Sequence, residues 1–139
     1  MHSTKTDVVT LADEQGNTLL EFVPGRGGLL NKLFLRDDKG RVLDVLFGID
    51  NADELASNPT FKNIPLFPFP NRLRDGEYDF EGQRYQFPLN EGSVNNNLHG
   101  FVFDEAFEVV ASKVESGHAE LTLKYDYLGQ FEYLSLIHI

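Results

Sequence analysis

Gly76-Glu77-Tyr78-Asp79-Phe80-Glu81-Gly82-Gln83-Arg84-Tyr85-Gln86-Phe87 decides the fold. On both sides of Glu81-Gly82, polar residues alternate with aromatic ones, the period of a strand with one face buried. A two-residue link ending in glycine has the length and chemistry of a tight hairpin turn. The hairpin brings the stretch before it, Phe67-Pro68-Phe69-Pro70-Asn71-Arg72, and the stretch after it, Leu98-His99-Gly100, toward one end of a sheet. Both stretches set polar, chemically capable residues among aromatics and prolines.

Working outward, the same signals repeat. Residues 8–11 and 18–23 flank Gln15-Gly16-Asn17 and read as an opening hairpin. Pro24-Gly25-Arg26-Gly27-Gly28 reads as a turn rather than a phosphate cradle, because no Lys-Ser/Thr follows. Residues 29–35 and 41–47 form strands around Asp37-Asp38-Lys39-Gly40, and Asp50-Asn51-Ala52-Asp53-Glu54-Leu55 offers an N-cap and early acidic residues for a short helix. Residues 107–114 and 119–127 flank a turn at 115–118, the second strand placing Ala119, Leu121, Leu123, Tyr125 and Tyr127 on one face. Short strands with turn signals between them and little helical periodicity predict an all-β, antiparallel β-sandwich.

Composition narrows the function classes. A chain of 139 residues with 41% hydrophobic and 24% charged residues can build a core, so neither disorder nor a fibre is expected. A formal charge of −10 disfavours phosphate backbones and anionic membranes, so neither nucleic acid nor membrane is expected as a partner, and a small neutral molecule fits better. The absence of cysteine removes disulfides, thiolate metal sites and cysteine nucleophiles, and the four histidines lack metal-ligand spacing. Residues 1–7 lack the apolar run of a signal peptide, and a cytoplasmic location is expected. Oligomeric state is not legible.

Taken in order, the proline-rich run into Asn71-Arg72, then Gly76-x-Tyr78-x-Phe80-x-Gly82-x-x-Tyr85, then Asn90 and Leu98-His99-Gly100-Phe101, resemble the N-terminal half of the aldose 1-epimerase (galactose mutarotase) family. The resemblance implies the N-terminal part of a galactose-mutarotase-like β-supersandwich, truncated. It implies an isomerase that interconverts the α and β anomers of an aldohexose or hexose phosphate. That reaction needs a base for the C1 hydroxyl proton, an acid for the ring oxygen and groups that hold the sugar, with no metal and no cofactor. By resemblance, the general acid histidine and general base glutamate lie beyond this chain.

His99 matches the first active-site histidine of the family, which assists near the anomeric centre; histidine suits that place because it donates or accepts near neutral pH. A histidine satisfying turn carbonyls beside Gly100 is the alternative. Arg72 matches the substrate-binding arginine, a planar donor array able to grip two sugar oxygens; otherwise it pairs with Asp75 or Glu77. Asn71 either binds sugar or fixes the loop through backbone bonds, and the second is favoured. Phe67 and Phe69 are expected in the core rather than as a sugar platform, and residues 95–97 as a flexible loop. His2, His118 and His138 are assigned no chemistry.

Two features depart from the best-known galactose mutarotases. Phe67-Pro68-Phe69-Pro70 stands where those enzymes carry a Gly-Arg-containing run, and a single glycine follows His99. Both resemble a divergent bacterial branch that includes enzymes acting on sugar phosphates. Lys62, Arg72, Arg74 and Arg84 either form a phosphate-receiving patch or balance nearby carboxylates, the second being favoured.

The chain ends in Leu134-Ser135-Leu136-Ile137-His138-Ile139, which matches the in-frame translation of a transposase-derived sequencing adapter. Residues 1–133 are therefore expected to be the N-terminal portion of one aldose 1-epimerase-like domain, and 134–139 a non-native tail, a natural edge strand being the alternative. A non-catalytic carbohydrate-binding β-sandwich is the competing functional reading. A concave site shared by Arg72 and His99 would favour the enzyme, and a flat aromatic strip with both elsewhere would favour the binding module.

Overall fold

The computed structural model describes residues 7–129 and Tyr133. The expected tail at 134–139, with His138, and His2 lie outside the described residues. The elements in chain order are β1 (Val9–Ala12), β2 (Leu19–Val23), β3 (Leu29–Arg36), β4 (Val42–Asp44), α1 (Ala52–Ser57), β5 (Arg72–Arg74), β6 (Glu77–Phe80), β7 (Gln83–Gln86), β8 (Asn96–Leu98), a 3-10 turn (Val102–Asp104), β9 (Glu108–Glu115) and β10 (His118–Lys124). Among the described residues the named strands all pair antiparallel, as the sequence predicts, and an isolated parallel bridge joins Phe67 to Gly100. The described residues fall into two compact units, one of residues 7–65 and 104–125, the other of residues 66–103, 126–129 and 133.

In the first unit β1–β2–β3–β4 form a four-stranded meander, and β9–β10 pair separately. The β2–β3 register slips between Glu21 and Phe22, which leaves Asn31 as the extra residue of a bulge. The bulge turns the Asn31 side chain inward, 5% exposed. There it accepts from the Ile49 N–H at 2.8 Å and donates to the Ile49 carbonyl at 3.1 Å and to Glu21 at 2.9 Å. Those bonds seat Ile49 against Val23 and Leu29, the buried core of this unit, with Leu55 and Ile64 packed on it. Asn51 caps α1 through its side chain, accepting from the Glu54 N–H at 2.7 Å.

Two expectations need correction here. The strand expected over 41–47 shrinks to β4, because the Asp44 carboxylate accepts from the Leu46 N–H at 3.2 Å and curls the chain away from β3. Ala119, expected on the buried face, is exposed near the hairpin tip, while the alternation holds from Leu121 to Tyr127.

The second unit contains the β6–β7 hairpin. Phe80 pairs with Gln83 across Glu81 (φ +51°) and Gly82 (φ +80°), both left-handed as a type I′ turn requires. Tyr78 stacks on its cross-strand partner Tyr85, ring centroids 5.0 Å apart. Phe87, 1% exposed, is the hub of an aromatic core that takes Phe69 edge-on at 5.5 Å, Phe101 at 6.2 Å and Tyr133 edge-on at 5.8 Å. Phe69 is thus a core residue, as expected, whereas Phe67 is partly exposed at 39%. The Phe67–Pro68 peptide bond is cis.

The loop expected at 95–97 is corrected as well. Asn96–Leu98 is β8, paired with β5 in the register Arg72↔Leu98, Leu73↔Asn97, Arg74↔Asn96. Asn97 is fully buried.

Candidate functional site

Asn71, Arg72 and His99 meet at the end of the β5–β8 pair. Asn71 and His99 face each other with positive φ, +129° and +64°, conformations that side-chain-bearing residues seldom adopt and that concentrate at functional sites. Their contact is reciprocal. The His99 N–H donates to the Asn71 carbonyl at 2.9 Å, and the Asn71 N–H donates to His99 Nδ1 at 3.0 Å. The Asn71 side chain accepts from the Arg72 N–H at 2.8 Å, the loop-fixing role favoured for it.

That geometry sets the tautomer of His99. With Nδ1 accepting from a backbone N–H, the neutral ring carries its proton on Nε2, so the imidazole is a donor at its outer nitrogen. Burial, followed by the Arg72 charge, pushes the His99 pKa below the ordinary imidazole range, and the Glu91 carboxylate opposes this. Both the accepting Nδ1 and this downward shift favour the neutral ring.

The segment carrying His99 is held residue by residue. The Asn90 amide accepts from the Leu98 N–H at 2.6 Å and donates to the Leu98 carbonyl at 3.0 Å, as a strand partner would. Asn97 accepts from the Gly100 N–H at 3.1 Å and donates to the Pro88 carbonyl at 2.8 Å. Gly100 (φ +72°) lies so close to the Phe67 carbonyl that a Cβ would sit 2.2 Å from its oxygen. Only glycine fits there.

Arg72 pairs with neither Asp75 nor Glu77, the alternatives open from sequence. It pairs with Glu91: Nε reaches the two carboxylate oxygens at 2.9 and 2.8 Å, and Nη2 reaches one at 2.6 Å. Asn96 Nδ2 donates to the same carboxylate at 2.9 Å. The Glu91 carboxyl is held below the usual carboxylate range, chiefly by the Arg72 bond and then by Asn96, and the Arg72 pKa is raised by the same pairing. Glu91 escaped the sequence reading because it lies 19 residues from Arg72 in an unremarkable loop.

The other basic residues are largely matched too. Lys62 pairs with Glu54 and lies over the Phe47 ring at 4.2 Å, and Arg84 pairs with Asp79 at 3.1 Å and Glu77 at 3.4 Å. This agrees with charge balancing rather than a phosphate patch. A cleft of about 650 Å³ lined by Asp13, Glu14, Glu115 and His118 lies in the first unit and contains none of the candidate residues. Among the described residues no three His, Asp or Glu side chains converge as a metal site, and no helix is long and apolar enough to cross a membrane.

Comparison with solved structures defines the class. A galactose mutarotase-like protein from Clostridium acetobutylicum superposes with a TM-score of 0.70 at 23% identity, over 91% of this chain and 40% of that one. An aldose epimerase homologue from C. elegans superposes with a TM-score of 0.62 at 25% identity, over 76% and 32%. The fold is galactose mutarotase-like. The sequence profile of the family described as aldose 1-epimerase matches residues 7–136, and the chain belongs to that family. A probable aldose 1-epimerase from Arthroderma benhamiae is 30% identical over 102 residues, 70% of this chain and 22% of that protein. Galactose mutarotase from Bos taurus is 25% identical over 111 residues, 76% of this chain and 32% of that one. The chain thus spans about a fifth to a third of the length of these curated relatives.

Proposed function

We propose that this chain is the N-terminal, sugar-holding part of an aldose 1-epimerase that interconverts the anomers of an aldohexose or hexose phosphate in the cytoplasm. The observation that carries this reading is the joint placement of Arg72 and His99 on a segment fixed at Asn71, Leu98 and Gly100. Arg72 offers a planar, permanently charged donor array to sugar hydroxyls, and His99 offers the Nε2 proton near the anomeric centre. A neutral imidazole donor polarises an oxygen but does not take the C1 proton, so the general base and the principal acid come from elsewhere in the parent protein. Residues 1–133 are read as part of that one domain, and 134–139 as non-native.

The experiment is to extend the coding sequence past Tyr133 in the source DNA. A frame that continues into further strands and supplies a histidine and a glutamate supports the enzyme. A native frame that ends at Ile139, or an extended one without that pair, refutes it. The chain alone is expected to lack mutarotase activity and to dissolve poorly, since Phe47, Val114 and Leu128 are each about four-fifths exposed (81%, 79% and 81%). The carbohydrate-binding reading loses ground because Phe69, Tyr78 and Phe87 pack on one another instead of forming an exposed strip.

A further inference from the structure

Glu91 has no place in the reaction outlined above, yet its carboxylate is built into the site. Its backbone is tied to β8 by a bond from the Glu91 N–H to the Asn96 carbonyl at 3.2 Å, and the turn between them is closed by the Val94 N–H donating to the Glu91 carbonyl at 3.1 Å. Its side chain is only 17% exposed, whereas that of Arg72 is 56% exposed. The more buried, backbone-anchored partner therefore fixes the more exposed one. Partly exposed ion pairs add little to stability, so a two-pronged grip of this quality points to placement of the guanidinium more than to holding the fold.

The grip is side-on. Glu91 takes the Nε and Nη2 edge of the fork, and the end-on edge, Nη1 with the second Nη2 proton, faces away from the carboxylate. A ligand at the end-on edge meets an oriented pair of donors whose charge is already offset.

We propose that Glu91 is a positioning residue of the sugar site: it locks the Arg72 guanidinium side-on, so that Arg72 meets its ligand beside His99 as a directional hydrogen-bond donor and not as an unopposed cation. This deepens the proposed function and rests on it for the identity of the ligand. The charge balance at His99 does not depend on that identity. Among the described residues, Arg72 and Glu91 act on the imidazole in opposite senses.

The test uses the protein encoded by the extended reading frame, labelled with 15N, as wild type, Glu91→Gln and Glu91→Ala. Glu91→Gln keeps the shape and one acceptor oxygen for Arg72 but removes the charge and puts an amide NH2 where Asn96 needs an acceptor; Glu91→Ala removes the grip. Two readouts are followed by NMR: the titration of the His99 imidazole and the resonance of Arg72 Nε–Hε. In Glu91→Gln the His99 titration is expected to move downward from wild type, because the carboxylate charge that raises it is gone. In Glu91→Ala the Arg72 Nε–Hε resonance is expected to move to the position of a solvated arginine. A His99 titration unmoved in Glu91→Gln, or moved upward, overturns the proposal. So does an Arg72 resonance unchanged in Glu91→Ala. With D-galactose as the probe, loss of the grip should weaken binding on the order of tenfold or more. A wild type that binds no sugar while His99 and Arg72 respond as stated counts against the sugar function and for the clamp.

Discussion

Replacing Asn97 should cost more than replacing any charged residue at the site. Asn97 is fully buried and supplies both halves of a local network, accepting from the Gly100 N–H at 3.1 Å and donating to the Pro88 carbonyl at 2.8 Å. Asn97→Ala strips partners from two buried groups, the Gly100 N–H and, at 3.3 Å, the Gly100 carbonyl, besides the part-buried Pro88 carbonyl, and each buried group left unsatisfied costs about 1–3 kcal/mol. The expected loss is therefore about 2–6 kcal/mol, a large share of the ~5–15 kcal/mol that holds a typical domain together. Asn97→Asp should be worse at neutral pH, because it keeps the acceptor for Gly100 but faces a carboxylate toward the Pro88 carbonyl. The folded-state pKa of that aspartate would be raised, so the variant regains stability as pH falls and loses it as pH rises through the raised value. Urea unfolding followed by tyrosine signals from the aromatic core reads both variants. Asn97→Ala with a midpoint indistinguishable from wild type, or Asn97→Asp insensitive to acid, would refute the reasoning.

Other changes test neighbouring links. Gly100→Ala should abolish the folded second unit, because a strained φ is compounded by a Cβ only 2.2 Å from the Phe67 carbonyl oxygen; Gly82→Ala, where nothing lies within 4 Å, should cost only about 1 kcal/mol in the same unfolding assay. Arg72→Lys in the extended protein should weaken aldohexose binding about tenfold by calorimetry, since an ammonium cannot accept the side-on grip of Glu91 and keep a forked edge for the sugar. Stability should rise with pH from the acid side. Glu91 has a depressed folded pKa, so its contribution is present above its unfolded value and lost as pH falls through the folded one; His99, also depressed, favours the folded state when neutral and has the same sign. Melting temperatures measured across the acid range should show that slope, and Glu91→Gln should flatten its lower part.

What was legible in the sequence was whatever repeats with period two or needs a special turn. The hairpin at 76–87 announced itself through alternating aromatics and Glu81-Gly82, and the β9–β10 pair through the glycine in its turn. Strand β8 was not legible because its residues, Asn96-Asn97-Leu98, show no apolar alternation. The buried amide of Asn97 and the pairing with β5 take the place of hydrophobic pull. The bulge that turns Asn31 inward was hidden for the same reason, since its partner, the Ile49 backbone, carries no side-chain signal. Asn71, Arg72 and His99 were singled out as candidates through their order along the chain. Glu91, which grips one of them, was missed because an acidic residue in a loop is indistinguishable in sequence from many others, and the nearby Asp75 and Glu77 looked equally able to pair with Arg72.

The most direct test of Arg72 and His99 as the sugar-holding groups is polarimetry on the protein encoded by the extended reading frame. The rate at which a freshly dissolved pure anomer of an aldohexose or its phosphate equilibrates is followed for wild type, Arg72→Ala and His99→Ala. Wild type should accelerate mutarotation well above the spontaneous rate, and each substitution should remove on the order of a hundredfold or more of that acceleration while leaving the melting curve intact. Full catalytic acceleration in both variants would contradict the assignment of the site.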